Sequence, residues 1–409
     1  MSSEPQPDAP VGGSAAADAP IDSPPLAPVT VSGSADLSTT AVTAGRSCAE
    51  SPAFSVTALT ASGATLASAP DAGCLAAGDE VLVINLQGGP GAIANVGNWE
   101  LLRVASASGT SVTFAAHKTR SYGASAGSDS GIGTGATDQK VALVRVAQFG
   151  QLTIADGASV TTAPWDGLLG GVIAIRATHA EVDGSISVVG RGYRDGRWSQ
   201  DDPSCTDNVT TEPGESIAGP AAASTSPNGG GPGGVAAASG ISFIASAPLN
   251  SGASHATTGT MGVDHNGRSV GAPGATYGAA DASKLTIGSG ASGNLTCSDA
   301  HSGNPGLLVV NEQLAGGIVL LLTDELTVGA SGTISASAGP SSRDVTAAGG
   351  YVFIRGGKLA LGAGRVTAIG GSTTGQGVNA TSTVAGGDGY VVVQGSSVTG
   401  TTAPAAHQL

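Results

Sequence analysis

The chain has 409 residues, enough for two or three domains or for one long repetitive fold. Charged residues make up 11%, aromatic residues 3% and apolar residues 40%, so the core is built from Val, Ile, Leu and Ala instead of rings. The net charge of −14, from 30 acidic and 16 basic residues, excludes a binder of phosphate backbones, which needs clustered Lys and Arg.

The first 28 residues are Ser, Pro, Ala and Asp, with Pro5, Pro7, Pro10, Pro20, Pro24, Pro25 and Pro28 among them. Such a stretch cannot bury a core and is expected to be a disordered tether. It reads either as the linker of a mature lipoprotein whose lipidated Cys is missing or as an ordinary disordered N-terminus. No apolar run reaches the length needed to span a membrane, and no secretory signal peptide is visible.

Residues 29–148 form a first β-rich block. The segments Phe54–Thr60, Gly78–Gly88, Trp99–Phe114 and Val141–Ala147 read as strands. The piece Gly78-Asp79-Glu80-Val81-Leu82-Val83-Ile84, an Arg103-Val104 strand, a Ser-Gly turn and Val112-Thr113-Phe114 resemble small β-barrel modules that precede or cap β-solenoids in surface and phage-tail proteins.

From residue 149 onward similar units recur. They begin at Gly170-Gly171, Gly316-Gly317, Gly349-Gly350 and Gly386-Gly387, and an apolar strand follows each Gly pair. The last three start 33 and then 37 residues apart, counting from Gly316, Gly349 and Gly386. Each unit reads as a Gly-Gly turn, a buried strand, a short turn and further strands. A strand whose ladder groups stay open until a neighbour covers them must stack, so the pattern predicts a right-handed parallel β-helix or solenoid over 149–409. A β-sandwich fits the same short strands and Gly turns.

The units are interrupted at about 192–305 by a Gly-rich insertion containing Gly229-Gly230-Gly231-Pro232-Gly233-Gly234. It is expected to be loose by itself, or to form polyproline II or tight Gly turns packed on the solenoid. The four cysteines, Cys48, Cys74, Cys205 and Cys297, lack metal-finger spacing and suit two disulfides in an oxidising compartment. The economical pairing is Cys48 with Cys74 and Cys205 with Cys297; two other pairings exist.

The Gly-Asp-Glu-Val-Leu-Val-Ile-Asn-Leu-Gln-Gly strand is followed by Gly190-Arg191-Gly192-Tyr193-Arg194-Asp195-Gly196. A Gly-rich middle, a Tyr277-Gly278 step and late Gly-Gly-strand repeats complete the order. Over most of the chain past residue 70 this resembles large Gly-rich extracellular proteins of myxobacteria and related deltaproteobacteria, among them some called adventurous gliding motility proteins. The resemblance implies a surface location and a β-helix-like architecture, and little chemistry.

The strongest polar cluster is Arg191, Tyr193, Arg194, Asp195, Arg197, Trp198, Asp201 and Asp202. Trp stacks on sugar faces, and Arg and Asp bond hydroxyls and carboxylates, so the cluster is a candidate glycan or protein site. The same residues supply a base and acids that could hold calcium for a polysaccharide lyase; a solvated loop clamped by salt bridges is the structural alternative. Asp166 beside Trp165, Asp183 and His179 are expected on adjacent rungs. His117, Lys118 and Arg120 read as a turn between blocks.

Gly123-Ala124-Ser125-Ala126-Gly127 matches a hydrolase elbow, but no helix pattern follows it. Gly288-Ser289-Gly290-Ala291-Ser292-Gly293 lacks the helix a dinucleotide site requires. Gly386-Gly387-Asp388-Gly389 opens like a calcium repeat but has no tandem array. Outward Thr residues are not in repeated T-x-T register, which argues against ice binding. The expectation is a secreted or surface-anchored, non-enzymatic protein for adhesion or scaffolding. Its partner would be a glycan, a protein or another copy of itself; no cofactor is expected, and the acidic balance is compatible with calcium. The alternative is a calcium-assisted polysaccharide lyase or glycoside hydrolase of β-helix type.

Overall fold

The computed structural model describes residues 26, 28–196, 198–200, 209–211, 214–219, 251–263, 269–271, 273–291, 296–297, 307–308, 315–340, 346–374 and 383–409. The tether up to residue 25 and the Gly229–Gly234 run lie outside them. Every regular element among the described residues is a strand.

The first block begins with β1 (Val29–Val31) and β2 (Ser34–Asp36), then β3 (Ala53–Thr60), β4 (Gly63–Leu66), β5 (Glu80–Gln87), β6 (Trp99–Ser108), β7 (Ser111–Phe114) and β8 (Lys140–Arg145). Strands β3 to β8 pair antiparallel and close into a six-stranded barrel in the order β3-β4-β7-β6-β5-β8. The expected Ser-Gly turn joins β6 to β7, with Gly109 at φ +55°, a conformation that Gly adopts without steric cost. Val56, Val81, Val83, Val104, Val112, Val141 and Leu143 point into the barrel, and Phe114 and Tyr122 close its core.

The second part contains β9 (Ala147–Ile154), β10 (Ser159–Thr161), β11 (Val172–Val182), β12 (Ser185–Ser187), β13 (Trp198–Gln200), β14 (Val209–Thr211), β15 (Gly262–Val263), β16 (Ser269–Gly271), β17 (Thr296–Cys297) and β18 (Leu307–Leu308). It continues with β19 (Ile318–Val328), β20 (Thr333–Ser335), β21 (Tyr351–Thr367), β22 (Ser372–Thr374), β23 (Thr383–Ala385), β24 (Tyr390–Ala403) and β25 (His407–Gln408). Four short antiparallel pairs, β13-β14, β15-β16, β17-β18 and β22-β23, branch from the main body.

That body is an eleven-stranded sheet in the order β1-β9-β11-β19-β21-β20-β12-β10-β2, with β24 on β21 and β25 on β24. Every pairing in it is parallel. Strands β21 and β24 are long enough to run through both arms, so the sheet folds back on itself in a solenoid-like stack. A sandwich of antiparallel strands is ruled out by this pairing. Strands β1 and β2, which lie in the first sequence block, form the opening layer of the stack: Val29 pairs with Leu152 and Ser34 with Ser159.

The register explains the apolar spacing. Ile173, Ile175, Val182, Val319, Leu321, Val352, Ile354, Val391 and Val393 point between the two arms into one continuous core. The intervening residues Val172, Ala174, Ile318, Leu320, Tyr351, Phe353 and Val392 point the opposite way into a second core, shared with Leu82, Ile84, Leu86, Ala142 and Val144 of the barrel. The first halves of the long strands are therefore buried on both faces, which is why they read as unbroken apolar runs. The barrel lies along this flank: Trp99 packs edge-on against Phe353 at 5.9 Å and donates Nε1–H to the carbonyl of Ala282 at 2.8 Å.

The described parts of the Gly-rich insertion complete the second core. The segment 285–291 belongs to no strand, yet it is buried and hydrogen-bonded on several sides. Leu285 N–H reaches Gly97, Gly288 N–H reaches Gly316, and Gly290 N–H reaches Glu215, while the carbonyls of Gly288 and Ser289 accept from Tyr193 and Ala348. An extended segment without internal ladder bonds is free to bond outward like this. A Cβ on Gly290 would stand 2.0 Å from the carbonyl oxygen of Arg194, and one on Gly214 1.8 Å from that of Gly290. Only Gly permits segments to lie this close.

Candidate functional site

Of the residues singled out between 191 and 202, the structure describes the side chains of Arg191, Tyr193, Arg194 and Asp195, and these four do not form one exposed patch. Tyr193 is fully buried; its hydroxyl donates to the carbonyl of Leu86 and its ring meets Trp165 edge-on at 5.7 Å. A sugar cannot stack on it. Burial pushes its hydroxyl well above the usual phenol range. Arg194 forks onto the buried carboxylate of Glu215 at 2.9 and 3.1 Å and also donates to the carbonyl of Asp166 at 2.8 Å. The hydrogen bond to Glu215 raises the guanidinium further above its ordinary value. Asp195 accepts the N–H of Ala291 at 3.1 Å. Arg191 is half-buried and its carbonyl takes the N–H of Trp165.

These residues join the stack to the insertion. Trp198 contributes its backbone to β13, and Arg197, Asp201 and Asp202 lie outside the described residues. Glu215, the partner that organises Arg194, stands 21 residues away among Gly, Ser and Pro, and no spacing rule points to it.

The other expected groups also separate. Asp166 caps its own turn, accepting from Leu168 and Leu169 at 2.8 Å each. Asp183 sits at the turn after β11, where its carbonyl accepts from Ser331. Lys118 pairs with Asp129 and donates to the carbonyl of Arg120. Asn95 binds the carbonyls of Gly123 and Ser125 at 2.8 and 2.6 Å, which makes the Ser125 segment a braced turn. Cys48 and Cys74 form a disulfide. The pairing of Cys205 with Cys297 lies outside the described residues. Among the described residues no helix is long and apolar enough to cross a membrane, and no group of three or more His, Cys, Asp or Glu is placed to hold a metal ion.

His179 leads to a different site. Past the barrel, the second halves of β9, β11, β19, β21 and β24 turn one face to solvent. The boundary is an ion pair in which Arg176 of the stack meets Glu80 of the barrel through Nε–Oε2 at 2.7 Å and Nη2–Oε1 at 2.8 Å, with Gln148 on the same carboxylate at 3.2 Å. Three residues beyond Arg176, a column of exposed side chains crosses five strands in register: Gln151, His179, Glu325, Lys358 and Ser397. Two positions on, a second column carries Thr153, Glu181, Thr327, Ala360 and Thr399. Outward residues at i and i+2 on parallel strands must form such columns.

His179 Nδ1 stands 3.3 Å from Glu325 Oε2. Gln151, His179, Ala180, Glu181, Glu325 and Thr327 line a polar groove of about 310 Å³. A second cavity of about 240 Å³ lies where the barrel meets the stack. Leu86, Val144, Leu169 and Val172 make it mainly apolar, and Ser38, Thr162 and Asp166 add polar groups. The outer groove offers donors and acceptors on a rigid parallel scaffold, which suits recognition of hydroxyl-rich molecules.

No family model matches the chain, and no curated protein matches it. Among solved structures the chain is similar to the crystal structure of the tailspike protein gp49 from Pseudomonas phage LKA1, at 20% identity and a TM-score of 0.15. The match covers 33% of this chain and 23% of that one, so the chain spans less than a quarter of the tailspike's length, and so weak a likeness carries no argument about function.

Proposed function

We propose that the protein is a secreted or surface-anchored, non-enzymatic β-solenoid of the right-handed parallel β-helix kind, acting in adhesion or as an envelope scaffold, and that it binds glycan. The observation that carries this reading is the pair of outward-facing columns on the outer flank, polar at every strand except for Ala360 in the second, repeated in register across parallel strands, with a groove between them on β9, β11 and β19. The disulfide Cys48–Cys74 supports an oxidising compartment. The resemblance to Gly-rich surface proteins of myxobacteria points the same way. His179 and Glu325 are about half-exposed and lie beside Lys358. This is a binding face open to water, without the enclosure that acid–base chemistry on a sugar draws on.

The test is to incubate the purified protein with insoluble and acidic polysaccharides and to score retention and released sugar ends together. Retention without new ends is the expected result. Released ends would make the protein a lyase or hydrolase instead. Absence of retention on every polymer would reject glycan binding.

A further inference from the structure

We infer that the outer groove takes a neutral, linear polysaccharide laid along the stacking direction, with one sugar unit per coil; this rests on the glycan-binding reading above. Neighbouring strands in a sheet stand about 4.8 Å apart, close to the length of one pyranose ring in an extended chain. A polymer crossing the strands therefore meets a polar side chain of the Gln151–His179–Glu325–Lys358–Ser397 column at each ring. The second column places Thr153, Glu181, Thr327 and Thr399 along the other edge of the same path. A polymer lying along a single strand would leave the flank within a few residues, because β11 ends at Val182 and β19 at Val328.

Charge selects the class of polymer. His179 lies against Glu325, and Lys358 stands abreast of the same carboxylate on the next strand. Lys358, the fixed positive charge of the column, is thus offset by Glu325, and Glu181 adds a further negative charge in the groove. The whole chain carries −14, which repels polyanions at a distance. What remains is a mixed row of donors and acceptors: the Gln151 amide, the imidazole, two carboxylates, an ammonium and hydroxyls. Sugar hydroxyls, each both donor and acceptor, match such a row without needing net charge. The affinity of any one contact is small, and repetition over successive coils multiplies it for a polymer.

The experiment is a binding assay on neutral polymers (cellulose, a β-1,3-glucan and an α-mannan) with polygalacturonate as the acidic comparison. The proteins compared are the wild type, His179→Ala, Glu325→Ala, the double variant, and Asp71→Ala on the barrel as a distant control. Thermal melts confirm folding, which these exposed side chains do not decide. The expected result is retention on a neutral polymer that withstands added salt, and a loss of about tenfold for each single variant, the effect of one hydrogen bond. Asp71→Ala should bind like the wild type. Retention confined to polygalacturonate and released by salt would overturn the neutral-polymer assignment. Binding to a neutral polymer that survives in the double variant would move the site elsewhere while glycan binding itself stands. No retention on any of the four would remove the glycan-binding reading and this inference with it.

Discussion

Single residues hold this structure together at its seams. Arg176 and Glu80 join the stack to the barrel, and Glu80 is 6% exposed. Replacing Arg176 by Leu leaves a buried carboxylate without its cation and should cost about 3–5 kcal/mol in denaturant unfolding. Arg176→Lys should recover only part of that, because an ammonium cannot make the two-pronged contact. His255 marks the seam with the insertion. It is fully buried, packed against Tyr277 at 4.7 Å and Tyr390 at 5.2 Å, with Nδ1 at 2.7 Å from the carbonyl of Gly349 and Nε2 at 2.7 Å from Thr286 Oγ1. A carbonyl only accepts, so Nδ1 carries the proton and Nε2 takes the Thr286 hydroxyl; the ring is neutral. Burial lowers its pKa from 6.5 to about 4. The unfolded chain thus binds a proton that the folded one refuses. Stability is complete above about pH 6.5 and falls as pH drops towards 4, by up to about 3 kcal/mol. Unfolding measured across this window should show the slope, and His255→Gln should flatten it.

Elements owe their positions to burial on one face or two. In β19 Leu321 points into the core between the arms and is fully buried, so Leu321→Ala should destabilise by about 2–5 kcal/mol. Thr327, six residues on in the same strand, faces outward, and Thr327→Ala should stay within about 0.5 kcal/mol of the wild type. Chemical unfolding of the pair separates a buried position from an exposed one in a single strand. The glycine segments follow a different rule. Gly290→Ala would drive a methyl group into the carbonyl of Arg194, 2.0 Å from the ideal Cβ position, where neither backbone yields without breaking the bonds to Glu215 and Tyr193 nearby. The expected effect exceeds that of Leu321→Ala or prevents folding, read as loss of soluble protein or of the cooperative melt.

At the scale of the whole molecule, the barrel and the stack are fastened together near the start of the chain. The loop after β2 carries Cys48, bonded to Cys74 before β5, and Glu50, whose backbone carbonyl accepts from Arg145 at 2.7 Å. Arg145 in turn meets Asp79 at 3.0 Å. The disulfide closes a loop with a sequence separation of 26. Reducing it should cost about 3 kcal/mol by the chain-entropy argument, visible as a lower melting temperature in the presence of a thiol. The barrel does not sit at an end of the stack. It covers the apolar first halves of long strands that would otherwise face water, leaving the columns beyond Arg176 exposed.

Local pattern was enough to read an all-β chain, the barrel strands around Val81–Ile84 and Val112–Phe114, the Gly-Gly-strand units and the Cys48–Cys74 bond, because alternation, turn residues and sequence proximity all act over short distances. The parallel register was implied by the repeats, since similar units stack like on like. The proposed binding face was not legible in the same way. Arg191, Tyr193, Arg194 and Asp195 stood out by composition, yet Tyr193 is drawn inside by the second core and Arg194 is held by Glu215. Only the tertiary structure could decide this, because a partner 21 residues away in a Gly-rich stretch leaves no periodic trace. Gln151, His179, Glu325 and Lys358 are ordinary polar residues spread over more than two hundred positions. They become a column because parallel pairing sets Gln151 beside His179, His179 beside Glu325 and Glu325 beside Lys358. Alternation and turn residues mark the strands of the barrel and of the Gly-Gly units, because both act locally; the stacking of those strands sets which polar residues share a face and which, like Tyr193, go inside.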